Sequence, residues 1–415
     1  MTLIKTSLLN AVAVAIKMLT LLGLNKILAI YVGPSGYAVI GQFQNAMTMV
    51  MTFAGGAVNT GVTKYTAEYH KTENEQHKVW QTALRISLVF TLILSILIGL
   101  FSQWLAETFL KDAAYSGIFL WFSVTLIFFV LNSLLLAIIN GKKEITLYIS
   151  VNIAGSLVGL LVTSILAYTY GLYGALLALV TNQSIVFVVT LWLCRHQVWF
   201  KLACLWGEVD HKTARNLGKY VSMALTSAIA VPMSHMLIRS HLVNNFGWEG
   251  AGYWDGVWRI SSIYLMFITT TLGVYYLPRL SEIIERKELR KEIINGYKVI
   301  LPIVSFLAFS IYMLRDFIVA VLFTSEFSEM SDLFAWQMTG DVVKIASWLM
   351  AYLMLGKGTA KLFIFTEIIF SITFYLFTIL LTNYFSLKGV TIAYFVNYVI
   401  YFIVVSVSLF KMRIV

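Results

Sequence analysis

Twelve runs of roughly 20 predominantly apolar residues, each long enough to cross about 30 Å of hydrocarbon, restrict this chain to a bilayer. They lie at 8–32, 37–63, 82–105, 116–139, 145–169, 172–194, 217–243, 251–277, 297–315, 333–355, 361–383 and 387–410, and are called spans 1 to 12 below. The longest connections, 195–216 and 278–296, are too short to fold as soluble domains. Of the 415 residues, 59% are hydrophobic and only 12% charged. A soluble domain carries about 25% charged residues, so the charges here are too few to coat a water-facing surface. Span 1 is too long for the apolar region of a secretory signal, and no small-residue cleavage site follows it. It is expected to stay as a membrane helix.

The net charge of +10 is read as topology before any ligand. With the N-terminus in the cytoplasm and strict alternation, 22 Lys and Arg fall on the cytoplasmic side, 3 on the outer side and 5 inside spans. Positive residues concentrate in cytoplasmic loops. The split therefore predicts both termini in the cytoplasm and an even number of spans.

The halves repeat at an offset of 214–215 residues. Gly33 and Gly36 match Gly247 and Gly250, Lys64 matches Arg279, Gly141-Lys142 matches Gly356-Lys357, and Gly174 and Asn182 match Gly389 and Asn397. Each half holds six spans, so both have the same orientation, which is the parallel repeat of many transporters. The expected fold is all-α, with a first lobe at 1–200, a linker at 201–216 and a second lobe at 217–415.

No phosphate-binding GxxxxGK[ST], dinucleotide-binding GxGxxG, HExxH or GxSxG motif occurs, so neither ATP hydrolysis nor enzyme chemistry is expected, and no cofactor or metal. Cys194 and Cys204 fit neither a zinc site nor a CxxC redox pair and read as reduced thiols.

Ionisable residues inside spans are costly and usually face a partner or a cavity. Lys17 and Lys26 lie in span 1, Arg239 in span 7, Asp255 and Arg259 in span 8, Asp341 and Lys344 in span 10, and Glu367 in span 11. Asp255–Arg259 (i, i+4) and Asp341–Lys344 (i, i+3) are spaced to pair on their own helices. If spans 1, 2, 7 and 8 line a cleft, Lys17, Lys26, Arg239 and Arg259 make it cationic, which suits a diphosphate because arginine presents a fork of donors. Lys64 and Arg279, at equivalent ends of spans 2 and 8, read first as cytoplasmic anchors and second as a basic mouth for a lipid headgroup. Asp255, Asp341, Lys344 and Glu367 are charge-pair or coupling candidates, with proton, sodium and membrane potential all open as driving force. His235 and His241 titrate in a useful range but more often simply hydrogen bond. Pro232 is expected to kink span 7. Tyr253, Trp254 and Trp258 could stack on sugar rings.

The stretches GPSGYAVIGQFQN (33–45), GVTKYTAEYH (61–70), YLPRLSEI (276–283) and LRDFIVAVLFTSEFSEMSDLFAWQMTGDVVKI (314–345) resemble Wzx-type lipid-linked oligosaccharide flippases, nearest the common-antigen branch, in the multidrug/oligosaccharidyl-lipid/polysaccharide exporter superfamily. The resemblance runs nearly end to end. It implies two six-helix lobes forming a V-shaped cleft. It also implies transfer of an undecaprenyl-diphosphate-linked oligosaccharide, such as an O-antigen unit, to the periplasmic leaflet by alternating access. Lys26 and Arg239 are carried over as cleft cations by that match. Asp255 and Arg259 add charge where the common-antigen branch carries less, which points to a different sugar. A polysaccharide polymerase and a chain-length regulator are the protein partners implied. The rival readings are an ion-coupled multidrug exporter of the same superfamily and a membrane polymerase or ligase. Lysines in place of a carboxylate in span 1 disfavour the first, and short outer loops disfavour the second.

Overall fold

A computed structural model describes the backbone of residues 3–195, 197, 199–276, 279–280, 283, 285–357 and 359–411, and side chains within these except at 3–11, 202–203, 219–224, 274, 355–356 and 360. The side chains of Lys5, Lys219 and Arg413, assigned above to the cytoplasmic face, lie outside the described set.

Among the described residues, helices lie in each of the twelve expected spans. Three helical segments carry two spans each: Leu3–Ala54, Ile145–Cys194 and His211–Thr271. Each is broken at one glycine held at positive φ, namely Gly33 (φ 63°, ψ −174°), Gly171 (φ 55°, ψ −132°) and Gly247 (φ 73°, ψ 176°). This region of backbone space is nearly closed to residues with a Cβ, so the glycines fix where one span turns into the next. The other spans are Glu73–Leu100, Ser116–Gly141, Arg286–Met313, Phe334–Gly356, Ala360–Phe385 and Gly389–Lys411.

Boundaries shift where hydropathy and helix formation diverge. Span 3 starts at Glu73 rather than 82, and span 9 at Arg286 rather than 297. In both, a charged, amphipathic first part extends the helix beyond the apolar run; acidic residues in the first turn (Glu73 and Glu75, then Glu288) favour the helix N-terminus. By length and apolarity, the described residues hold six membrane-crossing stretches, of which Val12–Ala54, Ile145–Cys194 and Lys361–Lys411 run 43, 50 and 51 residues, enough for two crossings each. Spans 7, 8 and 10 are absent from those stretches, and they carry five of the charges that break the apolar runs.

The internal repeat is visible in the backbone itself. Gly33 and Gly247 share one conformation. Gly171 finds its match at Ser386 (φ 52°, ψ −146°), 215 residues on. Just past these second breaks, a Cβ on Gly174 would overlap the carbonyl of Leu166, and a Cβ on Gly389 would overlap that of Leu381, again at an offset of 215. The same close approach of helix to preceding helix is therefore built twice.

By its contacts the chain divides into two compact units, Met1–Val32 with Gln42–Ile229, and Gly33–Gly41 with Ala230–Val415. This differs from the sequence-based division in two segments. The start of span 7 belongs with the first unit, where Leu217 is buried among Val58, Trp80, Ala83 and Leu134. Residues 33–41 belong with the second, because Gly252 has no Cβ and admits the Pro34 carbonyl against its helix.

Candidate functional site

The second unit concentrates the buried charge. Arg239 and Asp255 face each other across the two helices that meet at Gly247. The Arg239 fork donates from Nε to Asp255 Oδ2 at 2.7 Å and from Nη2 to Oδ1 at 2.6 Å. The two side chains are 3% and 7% exposed, so the pair is sealed. Gly41 closes it from the third side: a Cβ there would overlap the Asp255 carboxylate. The guanidinium also lies 5.6 Å from the Trp254 ring centre.

This corrects the expected i, i+4 pairing of Asp255 with Arg259. Two bonds to a planar fork satisfy both carboxylate oxygens at once, and the partner comes from span 7. Arg259 instead sits over the Tyr37 ring, 4.9 Å from its centre, half-buried. Tyr37 itself is fully buried and packed on Phe323 and Phe327, so Arg259 rests on a rigid aromatic floor.

Among the described residues the expected direct ion pair between Asp341 and Lys344 is not formed, although each acts electrostatically on the other. Asp341 is wholly buried and its carboxylate accepts from three hydroxyls on other helices: Ser261 Oγ at 2.6 Å and Tyr264 Oη at 2.8 Å on Oδ2, and Tyr394 Oη at 2.7 Å on Oδ1. These bonds tie spans 8, 10 and 12 together. One turn away, the Lys344 ammonium enters a cage of four rings, with centres at 5.1 Å for Trp258 and Trp348, 5.6 Å for Tyr398 and 5.7 Å for Tyr394. Each ring face attracts a cation, more strongly where water is excluded. Acid and base thus find separate partners because hydroxyl donors and aromatic faces converge from neighbouring helices. Glu367 is half-buried and acts electrostatically on Lys344, Tyr398 and Tyr401.

Of the proposed sugar platform, Trp254 is fully buried and Tyr253 is 8% exposed. Trp254 packs on His235 and Trp258, and Tyr253 on Phe327. Trp258 is half-buried, with His235 edge-on at 4.4 Å. In this conformation these rings form the wall around the charges rather than an open stacking face. His241 bonds through Nε2 to the Thr382 hydroxyl at 2.9 Å, the simple hydrogen-bonding role.

In the first unit the cations are spread out. Lys17 is exposed and Lys26 half-buried. Lys64 is exposed, 5.1 Å from the Tyr65 ring centre. Its repeat mate in the second unit, Arg279, is 47% exposed and 3.9 Å from Glu292. Among the described residues no cluster of three or more His, Cys, Asp or Glu is arranged to hold a metal.

Sequence reasoning missed Ser261, Tyr264, Trp348, Tyr394 and Tyr398. Tyr394, Tyr398 and Tyr401 do form a visible i, i+4, i+7 ladder on span 12, a pattern that marks one helix face. Gly41 carried no signal, since its role depends on which side chains it meets.

Fold and charges together define a polytopic, all-helical membrane transporter scaffold. The chain belongs to the polysaccharide biosynthesis protein family, whose pattern matches residues 27–332. It is similar to the lipid III flippases of Escherichia coli (strain K12) and Shigella flexneri, each 29% identical over 402 residues and covering 97% of both chains. Its fold is that of an inward-facing multidrug resistance MATE family transporter of the MOP superfamily (TM-score 0.78, 14% identity, 95% of each chain). A MOP superfamily transporter from Pyrococcus furiosus described as having a binding pocket of reversed polarity shares it at TM-score 0.64, with 13% identity over 97% of this chain and 95% of the other.

Proposed function

We propose that this protein is a flippase for an undecaprenyl-diphosphate-linked oligosaccharide, carrying it from the cytoplasmic to the periplasmic leaflet of the inner membrane by alternating access. The observation that carries the reading is the end-to-end similarity to lipid III flippases, joined to cations placed inside membrane helices. Arg259, half-buried on the Tyr37 ring, and Lys26 are the headgroup ligands. Arg239 is a reserve cation, neutralised here by Asp255. Lys17 completes the cationic set, and Lys64 and Arg279 gather the diphosphate at the cytoplasmic mouth. Trp258 is the ring nearest to offering a face to sugar. Asp341, Lys344 and Glu367 form the polar group through which a proton, sodium ion or the membrane potential is coupled. Both termini are cytoplasmic, each half of the chain forms a six-span lobe, and a polymerase and chain-length regulator act downstream.

The test is complementation of a bacterium lacking its oligosaccharide flippases and supplied with the matching glycan genes. Surface glycan is expected to return, and to be lost in Arg259→Gln and Lys26→Gln variants present at wild-type protein level. Normal glycan from both variants would overturn the cationic site. Resistance to cationic dyes without glycan would replace the flippase reading with drug export.

A further inference from the structure

The first unit contains a cavity of about 450 Å³ that the charges of the second unit do not touch. Its walls come from spans 3, 4 and 6 and from the segment that leads to span 7, including Leu84, Leu135, Phe187, Leu191, Phe200 and Trp206. All of its lining residues are apolar or aromatic. The volume falls within the range of small-ligand sites, roughly 300–1,000 Å³.

The surroundings of the cavity are basic. Arg85 follows Leu84 in sequence, and its guanidinium lies 5.9 Å from the ring centre of Trp206, itself 66% exposed. Lys142, one helical turn beyond the lining residue Ile138, donates to Gln76 Oε1 at 2.8 Å, and Arg195, one turn beyond Leu191, lies over the Trp192 ring. Lys201 follows Phe200. Glu208 and Asp210 are the acidic residues that follow Trp206, and Asp210 is engaged in capping the next helix through the Thr213 amide. Beside Phe200, ring centres 5.9 Å apart, the indole N–H of Trp199 is buried without a hydrogen-bond partner among the described residues. A buried donor left unpaired is costly.

We infer that this cavity binds one acyl chain of an anionic glycerophospholipid from the leaflet on the Lys/Arg-rich side, with its phosphate held by Arg85. An apolar chamber with a cationic rim is the complement of such a lipid. The cavity is of small-ligand size, about 450 Å³, which suits one acyl chain. An undecaprenyl tail is several times larger. The bound lipid pins residues 199–206 against spans 3, 4 and 6.

The test uses the full chain purified in mild detergent, titrated with phosphatidylglycerol or phosphatidylethanolamine carrying brominated acyl chains that quench tryptophan. Brominated phosphatidylglycerol is expected to quench saturably, and the saturable part to shrink in Trp206→Phe. Arg85→Gln is expected to weaken the apparent affinity about fivefold, the effect of one basic group at an anionic lipid surface. Leu135→Phe, which fills the chamber, is expected to abolish saturation while gel filtration stays unchanged. Equal affinity for phosphatidylethanolamine in the unaltered protein would overturn the proposal. So would displacement by undecaprenyl phosphate but not by unbrominated phosphatidylglycerol.

Discussion

Breaking the Arg239–Asp255 pair separates a structural role from a binding role. Both side chains are almost sealed and joined by two bonds of 2.6–2.7 Å. Removing one partner strands a charge in a medium that cannot solvate it, which costs about 3–5 kcal/mol. Removing both strands nothing, and in other buried pairs has been neutral or stabilising by about 1–4 kcal/mol. Arg239→Met should therefore lose about 3–5 kcal/mol by leaving the Asp255 carboxylate alone beside Gly41. Asp255→Asn, which keeps the shape, should cost somewhat less because the guanidinium retains the Trp254 face at 5.6 Å. The double variant should recover most of the loss, so the coupling energy should approach the sum of the two single losses, about 5 kcal/mol or more. The assay is equilibrium unfolding in mixed micelles of the four proteins in the cycle, run beside surface-glycan complementation. Additivity within about 0.5 kcal/mol, the behaviour of independent sites, would refute the reasoning from burial. If the double variant is stable and still moves glycan at the normal rate, the pair is structural and Arg239 is not a substrate ligand.

Two further predictions rest on local geometry. Ser386 occupies the backbone conformation that its repeat mate Gly171 adopts without a Cβ, so Ser386→Gly should relieve strain of order 1–3 kcal/mol and raise thermal stability in detergent; an unchanged or lowered midpoint would argue against strain at this break. Asp210 accepts from the Thr213 amide at 2.8 Å, and hydrogen bonding to Thr213, helped by Lys78 and Lys212, holds its carboxyl below the usual range. A depressed carboxylate stabilises above its unfolded value near 3.9 and loses that contribution as pH falls through its folded value. The difference in midpoint between wild type and Asp210→Ala should be flat from pH 7 to about 5 and shrink below about pH 4; a pH-independent difference would assign the cap to the neutral side chain.

What could be read from the chain and what could not follow different physics. Span number, helical class and internal repeat were legible because each depends on local or periodic properties: apolar length, loop length and glycines at an offset of 214–215. Even the breaks were marked, since Gly33 and Gly247 were visible as repeat partners before their φ values gave the reason. The Gly171 break was not, because its partner is a serine, and only the shared conformation reveals the match. The identity of the charged side chains was also legible, since any ionisable group in a span needs an explanation. Their pairing was not. Spacing along a helix says which side chains can meet, but a buried carboxylate takes the donors that satisfy it best, from whatever helix they come. Asp255 took a two-pronged partner from span 7, and Asp341 took three hydroxyls from spans 8 and 12. Arg259 lies over the Tyr37 ring and Lys344 among four rings, while Lys344 still feels Asp341 and Glu367 electrostatically. Because Arg259 is half-buried where Arg239 is sealed against Asp255, Arg259 is the residue whose loss should cost transport first.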